Sequence, residues 1–395
     1  MLDFQLISAD THVAEHPDAW ARVQREYGDR APHVVQDPPG LGKGLWIITD
    51  GLEPMRSAYF ALGHIVEKPE GISNMDQWED PRAFQRRVLE FNETFRYEDY
   101  PGGWDPAAHV ADMDRDGVEA EIIFSSPTRF NYSQTDAKFQ RAIFRSYNEW
   151  VLEFASYAPR RLFPMPLISI LDIEAAVADM REYVKRGCKS VHIPTQILGS
   201  GYYEPCYEPL WATAAELDIP LTVHSNSSQN LPRHHVDQGA REFDPRKQIM
   251  RTTRQLPAVE FLSNLIFSGV FDRYPSLKVV CSEFECHWVA GLVQRVDYNL
   301  GRESTYDPER NVNRRSPSEY LRENAYFSFE DDRAGMLTVP LYGADNFMWG
   351  NDYPHHQTTW PYSRQGLEEN CAGLDPVVIR RLGRENASRV YKLGL

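Results

Sequence analysis

LFPMPLISILDIEAAVADMREYVKRGCKSVHIPT, residues 162–195, decides the fold. It opens on an apolar run from Leu162 to Ser169, passes through a segment whose apolar residues recur at helical spacing, and returns to an apolar run from Ser190 to Thr195. Asp172 stands where a helix N-cap belongs and Gly187 where a helix stops. A strand, a helix and a second strand in roughly thirty residues make one βαβ unit, which requires parallel strands.

Working outward, the same alternation repeats. Further strands are expected at Phe4 to Asp10, Ala120 to Ser126, Pro220 to Asn226, Lys278 to Glu283, Ala325 to Glu330 and Phe347 to Asp352. Between them run amphipathic segments such as the one carrying Phe139, Ile143, Tyr147, Trp150, Val151 and Phe154. With the two strands of the opening stretch these make eight, the number that closes a (β/α)8 TIM barrel of the α/β class. A single domain over residues 1–395 is expected, interrupted between its first and second strands by an insertion at 17–118. That insertion holds a Pro/Gly-rich segment (DPPGLGKG), a short apolar run at Trp46 to Thr49 and an amphipathic stretch from Gln77 to Phe95, and reads equally as a lid or as a dimerisation arm.

Composition narrows the function. A chain of 395 residues with 42% hydrophobic content can bury a large core, and a net charge of −15 without a basic stripe argues against a nucleic-acid partner. No apolar run approaches the roughly 18 residues of a membrane span, and the start MLDFQLISAD lacks a basic region followed by an apolar one, so a cytoplasmic location is expected. The five cysteines are scattered; Cys281 and Cys286 are near enough to meet, but buried thiols are the simpler reading.

Barrel enzymes draw their chemistry from the C-terminal ends of strands. Asp10 and His12 end the first strand, His192 lies in the fourth, His224 ends the fifth, Glu283 the sixth and Asp352 the eighth. Alternation along a strand puts both members of an Asp-x-His pair on one side, where they can grip one ion. A lone pair of this kind arises by chance. His224 ends an apolar strand and Asp352 follows another, however, and buried polar groups there need partners. Asp10, His12, His224 and Asp352 are therefore the expected ligands of a single divalent ion, zinc or manganese. His192 can be a ligand, a hydrogen-bond donor or a core histidine, and Glu283 a ligand or a base. Glu15, His16, His287, His355 and His356 lie near the same rim, His355 being the one expected to line the pocket. Arg56, Arg129 and Arg254 are candidates to clamp a substrate carboxylate. Trp46, Tyr59, Phe60, Phe130, Tyr132, Trp288 and Trp360 are candidates to line an aromatic pocket.

The segments SADTHVAEHPDAW, MDRDGVEAEIIF, RSYNEWVLEFASYAPRRL, SGVFDRYPSLKVVCSE, NFMWGNDYPHHQTTWP and GRENASRVYKL give the chain a resemblance, over nearly its whole length, to the amidohydrolase superfamily. More closely, it resembles the amidohydrolase-related branch that includes aminocarboxymuconate-semialdehyde decarboxylase. Position by position, the resemblance carries the metal role onto Asp10, His12, His224 and Asp352, and it implies a homodimer. Two departures stand out. Asp10 replaces the first histidine of a frequent His-x-His, which shifts preference from zinc towards manganese. Glu283 stands where related decarboxylases carry a histidine that moves a proton, which speaks against transferring their mechanism whole.

The expected activity is hydrolysis of a small aromatic or cyclic carbonyl compound by a metal-activated water, with Asp352 or Glu283 taking the proton and His224 as ligand. His192, His355, Arg129 and Trp288 would then hold the substrate. The alternatives are non-oxidative decarboxylation of an aromatic or unsaturated carboxylate, which needs the same ligands, and an inactive binding module, which should have lost them.

Overall fold

The computed structural model describes residues 2–65, 81–229, 245–306 and 313–395. Its strands in chain order are β1 (Leu6–His12), β2 (His33–Gln36), β3 (Leu45–Ile48), β4 (Met55–Arg56), β5 (Val118–Phe124), β6 (Leu162–Pro164), β7 (Val191–His192), β8 (Pro220–His224), β9 (Lys278–Ser282), β10 (Ala325–Phe329) and β11 (Phe347–Trp349). Two parallel sheets, β1-β5-β6 and β11-β10-β9-β8-β7, hold the eight strands expected from sequence. The sheets join at both seams. Leu167 bridges His192 on one side, and on the other the Asp352 amide donates to the Asp10 carbonyl at 2.9 Å. The result is a closed parallel barrel.

Strand ends differ from the sequence expectation for local reasons. The chain turns sharply at Asn226, Glu283 and Asp352, all at positive φ, so β8, β9 and β11 stop before them. Pro164 and Pro166 shorten β6 because neither can donate to a ladder.

The helices follow the same logic. Asp172 accepts from the Ala175 amide and starts a helix over Ile173–Lys185, and Asp136 caps the 19-residue helix Ala137–Ala155. Phe139, Ile143, Tyr147, Val151 and Phe154 of the latter are buried in the layer between helices and barrel. Inside the barrel a second cluster gathers Ile7, Ala9, Ala120, Ile122, Phe124, Val280, Tyr326 and Met348. Ala387, Val390 and Tyr391 join it from the far end of the sequence, with Leu393 and Leu395 packed against them.

Residues 13–117, between the first and second barrel strands, carry elements of their own. Among them is the antiparallel sheet β2-β3-β4, in register His33 to Ile48 and Trp46 to Arg56. The amphipathic stretch expected at Gln77 to Phe95 forms a helix over Pro81–Thr94; its residues 77–80 lie outside the described residues. Among the described residues no helix is long and apolar enough to cross a membrane. All five cysteines are free, and Cys281 and Cys286 are both buried.

Candidate metal centre

The C-terminal ends of the barrel strands bring Asp10, His12, His224 and Asp352 together, all buried. Asp10 Oδ1 lies 3.3 Å from His224 Nε2 and 3.6 Å from His12 Nε2, and His12 Nε2 lies 3.3 Å from Asp352 Oδ1. The far sides of the ligands are held. Ser328 donates to Asp10 Oδ2 at 3.1 Å, and the Nδ1 atoms of His12 and His224 face the carbonyls of Ser125 and Ser225. Such contacts fix the imidazole tautomer so that Nε2 presents its lone pair to the centre. Gly350 is required here, since a Cβ on it would stand 2.6 Å from the Asp10 Cβ.

The donors fit a divalent cation. His12 Nε2, Asp352 Oδ2 and both nitrogens of His192 are buried without a hydrogen-bond partner. Burial, followed by the like charges of Glu283 and Asp10, pushes the Asp352 carboxyl well above the ordinary carboxylate range. Burial likewise pushes His12, His192 and His355 well below the imidazole range. Carboxyls driven towards their neutral form beside imidazoles driven towards theirs are what a bound cation relieves. Asp10, His12 and His224 each offer an atom within 4.8 Å of the others, and so do His12, Asp352 and His355. The cluster can hold one metal ion.

His355 stacks on His12 at 4.0 Å between ring centroids. Its Nδ1 lies 2.9 Å from Asp352 Oδ1 and its Nε2 2.8 Å from the Ser126 hydroxyl. His192 stands deeper, with its ring 5.9 Å from that of His224, 5.8 Å from Phe124 and 5.4 Å from Tyr132. Arg129 donates to the Ser125 carbonyl at 2.6 Å and approaches His12 Nδ1 at 3.4 Å. Glu283 lies 3.2 Å from His224 Nδ1, 3.3 Å from Arg254 and 3.9 Å from Arg129. Burial works against its charge, yet His224, Arg129 and Arg254 hold the carboxyl below its usual range.

Other expected residues sit elsewhere. The Trp288 indole donates to the Phe284 and Glu285 carbonyls, and its ring meets Phe327 on the outer face of the barrel. Arg56 lies over the Trp46 ring at 4.4 Å and donates to the Lys43 carbonyl, so these two engage each other. His16 stacks on Trp104, and His287 pairs with Asp332. Glu15 is buried and tied to the hydroxyls of Ser125 and Thr128 and the Ser126 amide; burial pushes its carboxyl up to about 7. From the segment before β5, Phe60 comes within 6.1 Å of His355 and 6.4 Å of Phe130, and the Gly63 amide donates to the Pro354 carbonyl.

The sequence reading passed over three contributors. Glu330 follows β10 as Asp352 follows β11, an acidic residue after an apolar run, and that signal was available. Ser126 and Ser328 gave none, because a serine's neighbours are set by the fold rather than by local sequence.

Comparison with known proteins matches a family model described as amidohydrolase to residues 7–393. A 2-amino-3-carboxymuconate-6-semialdehyde decarboxylase of Dictyostelium discoideum is 23% identical over 64% of this chain and 67% of its own length. A gamma-resorcylate decarboxylase of a Polaromonas species is 24% identical over 71% of this chain and 85% of its own. Among solved structures, an amidohydrolase from Mycobacterium avium subsp. paratuberculosis superposes with a TM-score of 0.74 at 21% identity, covering 99% of this chain and 98% of that one. A dihydroxybenzoic acid decarboxylase from Polaromonas, with bound manganese and the inhibitor 2-nitroresorcinol, gives 0.59 at 16% identity over 83% and 95%.

Proposed function

The chain belongs to the amidohydrolase family, and from that premise we propose that it is a metal-dependent carboxy-lyase, removing carbon dioxide from a small aromatic carboxylate. One observation carries the reading: the buried Arg129 and the part-buried Arg254 both stand against the Glu283 carboxylate beside the metal cluster. A pocket this acidic repels an anionic substrate unless cations compensate, and Arg is the side chain suited to clamp a carboxylate. The names of the two curated relatives support decarboxylation over the hydrolysis favoured by sequence alone.

Asp10, His12, His224 and Asp352 would hold one divalent ion, manganese or zinc, which when bound supplies Lewis-acid polarisation of substrate oxygens. Arg254 and Arg129 orient the substrate carboxylate, with Phe60 and Phe130 beside the ring. His355 occupies Asp352 Oδ1, which leaves Oδ2 as the oxygen that carries a proton to the ring carbon bearing the carboxylate. The carbon–carbon bond then breaks, its electron pair returns to the ring, carbon dioxide leaves, and Asp352 remains as carboxylate until solvent reprotonates it. Residues 57–65, reaching over His355 and Pro354, act as a cover that keeps water out.

The test is incubation of the manganese-loaded protein with ortho-hydroxylated benzoates, gamma-resorcylate first, in deuterium oxide. Carbon dioxide release with one deuterium on the carbon that lost its carboxylate is the expected result. Acid release from cyclic esters or amides, with no carbon dioxide from any benzoate, would restore the hydrolase reading.

A further inference from the structure

Glu15 follows β1 three residues after His12, is 1% exposed, and takes no part in the proposed reaction. Its Oε1 accepts from the Ser125 hydroxyl at 2.7 Å, the Ser126 amide at 2.8 Å and the Thr128 amide at 3.4 Å, and its Oε2 accepts from the Thr128 hydroxyl. Burying a carboxylate is costly unless donors compensate, and here the donors all come from one turn, residues 125–128. The Trp20 indole pins the same turn by donating to Thr128 Oγ1 at 2.7 Å. That turn carries the contacts of three groups in the site. The Ser125 carbonyl faces His12 Nδ1 at 3.3 Å and accepts from the Arg129 guanidinium at 2.6 Å. The Ser125 hydroxyl oxygen accepts from the Arg129 amide at 3.0 Å, and the Ser126 hydroxyl lies 2.8 Å from His355 Nε2. Arg129 Nε is buried without a hydrogen-bond partner, a donor left for a ligand.

We infer that Glu15 is a positioning residue: it fixes the turn 125–129 and, through that turn, the tautomer of His12, the reach of Arg129 and the ring of His355. A carboxylate only accepts, so the hydroxyl protons of Ser125 and Thr128 both turn towards it, and the Ser125 oxygen is left to accept from the Arg129 amide. Glutamine has the same shape but exchanges one acceptor for a donor. Turned towards Thr128, its amide deprives that hydroxyl proton of an acceptor; turned towards Ser125, it opposes the Ser126 and Thr128 amides. Either way a buried donor loses its partner and the turn must shift. The effect on Arg129 rests on its proposed role as carboxylate clamp, whereas the effect on His12 concerns metal binding and does not.

The test takes Glu15→Gln, Ser125→Ala and the double variant, each titrated calorimetrically with manganese chloride after metal removal and then assayed, manganese-loaded, on gamma-resorcylate. The work is done at about pH 8.5, where the Glu15 carboxyl, pushed up to about 7 by burial, is ionised. Glu15→Gln should weaken manganese binding by about 10- to 100-fold and raise KM by at least about fivefold. In the double variant the loss of affinity should fall short of the product of the single losses by at least about threefold, because both changes cut one path. A side chain that served stability alone would leave the dissociation constant and KM at wild-type values in any variant that thermal melts show folded at the assay temperature. Manganese affinity within about threefold of wild type in folded Glu15→Gln would therefore overturn the inference, and losses that simply multiply would overturn the route through Ser125. If wild type binds manganese but releases no carbon dioxide, the carboxy-lyase reading fails and the manganese titration still decides on Glu15. Should Glu15→Gln not fold, Ser125→Ala decides in its place: the expected loss is about tenfold, and an unchanged dissociation constant overturns the inference.

Discussion

A Cβ placed on Gly350 would come within 2.6 Å of the Cβ of Asp10, so the residue after β11 leaves just enough room for a metal-ligand candidate on β1. Gly350→Ala must therefore displace Asp10 or Gly350 itself. The expected outcome is a loss of manganese affinity of about 10- to 100-fold, with a stability cost of about 1–3 kcal/mol. Calorimetric titration and thermal melts of the metal-free protein separate the two effects; unchanged affinity would mean that Asp10 does not bind the ion.

His224→Ala should abolish the tight manganese step outright, because the imidazole points Nε2 at the Asp10 carboxylate while its Nδ1 is held by the Ser225 carbonyl. Wild type should gain about 4 kcal/mol of stability at a metal concentration a thousandfold above its dissociation constant, and the variant almost none. Melting temperatures with and without chelator measure the difference.

His355 contacts Asp352 on one ring nitrogen and Ser126 on the other. In His355→Gln the amide keeps one of these contacts, and the affinity for manganese should fall by about tenfold rather than vanish. A variant that binds no metal would instead make His355 a ligand in its own right.

Arg254→Gln should raise KM for an aromatic carboxylate by at least about tenfold while the manganese content stays that of wild type, since the guanidinium meets Glu283 and Glu285 but none of the Asp10, His12 or His224 donors. Steady-state kinetics on the metal-loaded variant, beside its metal analysis, is the check.

Asp116 predicts a pH effect away from the site. Burial pushes its carboxyl up to about 6, against the hydrogen bonds it accepts from the Ser363 amide and hydroxyl. A carboxyl raised in the folded state contributes its stability at low pH and loses it as pH rises through the folded value. Asp116→Asn should therefore gain on wild type between about pH 4 and about pH 7, by no more than about 3 kcal/mol. Denaturant melts across that range test the sign; a constant difference would contradict it.

The barrel was legible because eight apolar runs and their intervening helical stripes are local signals, and the tertiary fold did not override them. Their C-terminal ends were less so. Glu283 and Asp352 read as the last strand residues, but each adopts the left-handed turn that ends the strand and aims its side chain inward. Sequence could not rank the arginines, since Arg56 and Arg254 both lie in segments between the barrel strands. Only the fold sends one onto Trp46 and the other onto Glu283. Trp288 read as a pocket aromatic because it lies near a strand end, yet its indole caps two carbonyls and its ring turns to Phe327 outside.

Ala387, Val390 and Tyr391 complete the cluster inside the barrel, together with Ile7 and Ala9 of the first strand. During synthesis the interior that β1 begins thus waits for residues nearly four hundred positions later. A nascent chain arrested before residue 387 lacks the Ala387, Val390 and Tyr391 side chains of this interior cluster. The barrel interior is thereby completed only once residues 387–391 have emerged from the ribosome, so a change at those positions acts on the barrel itself.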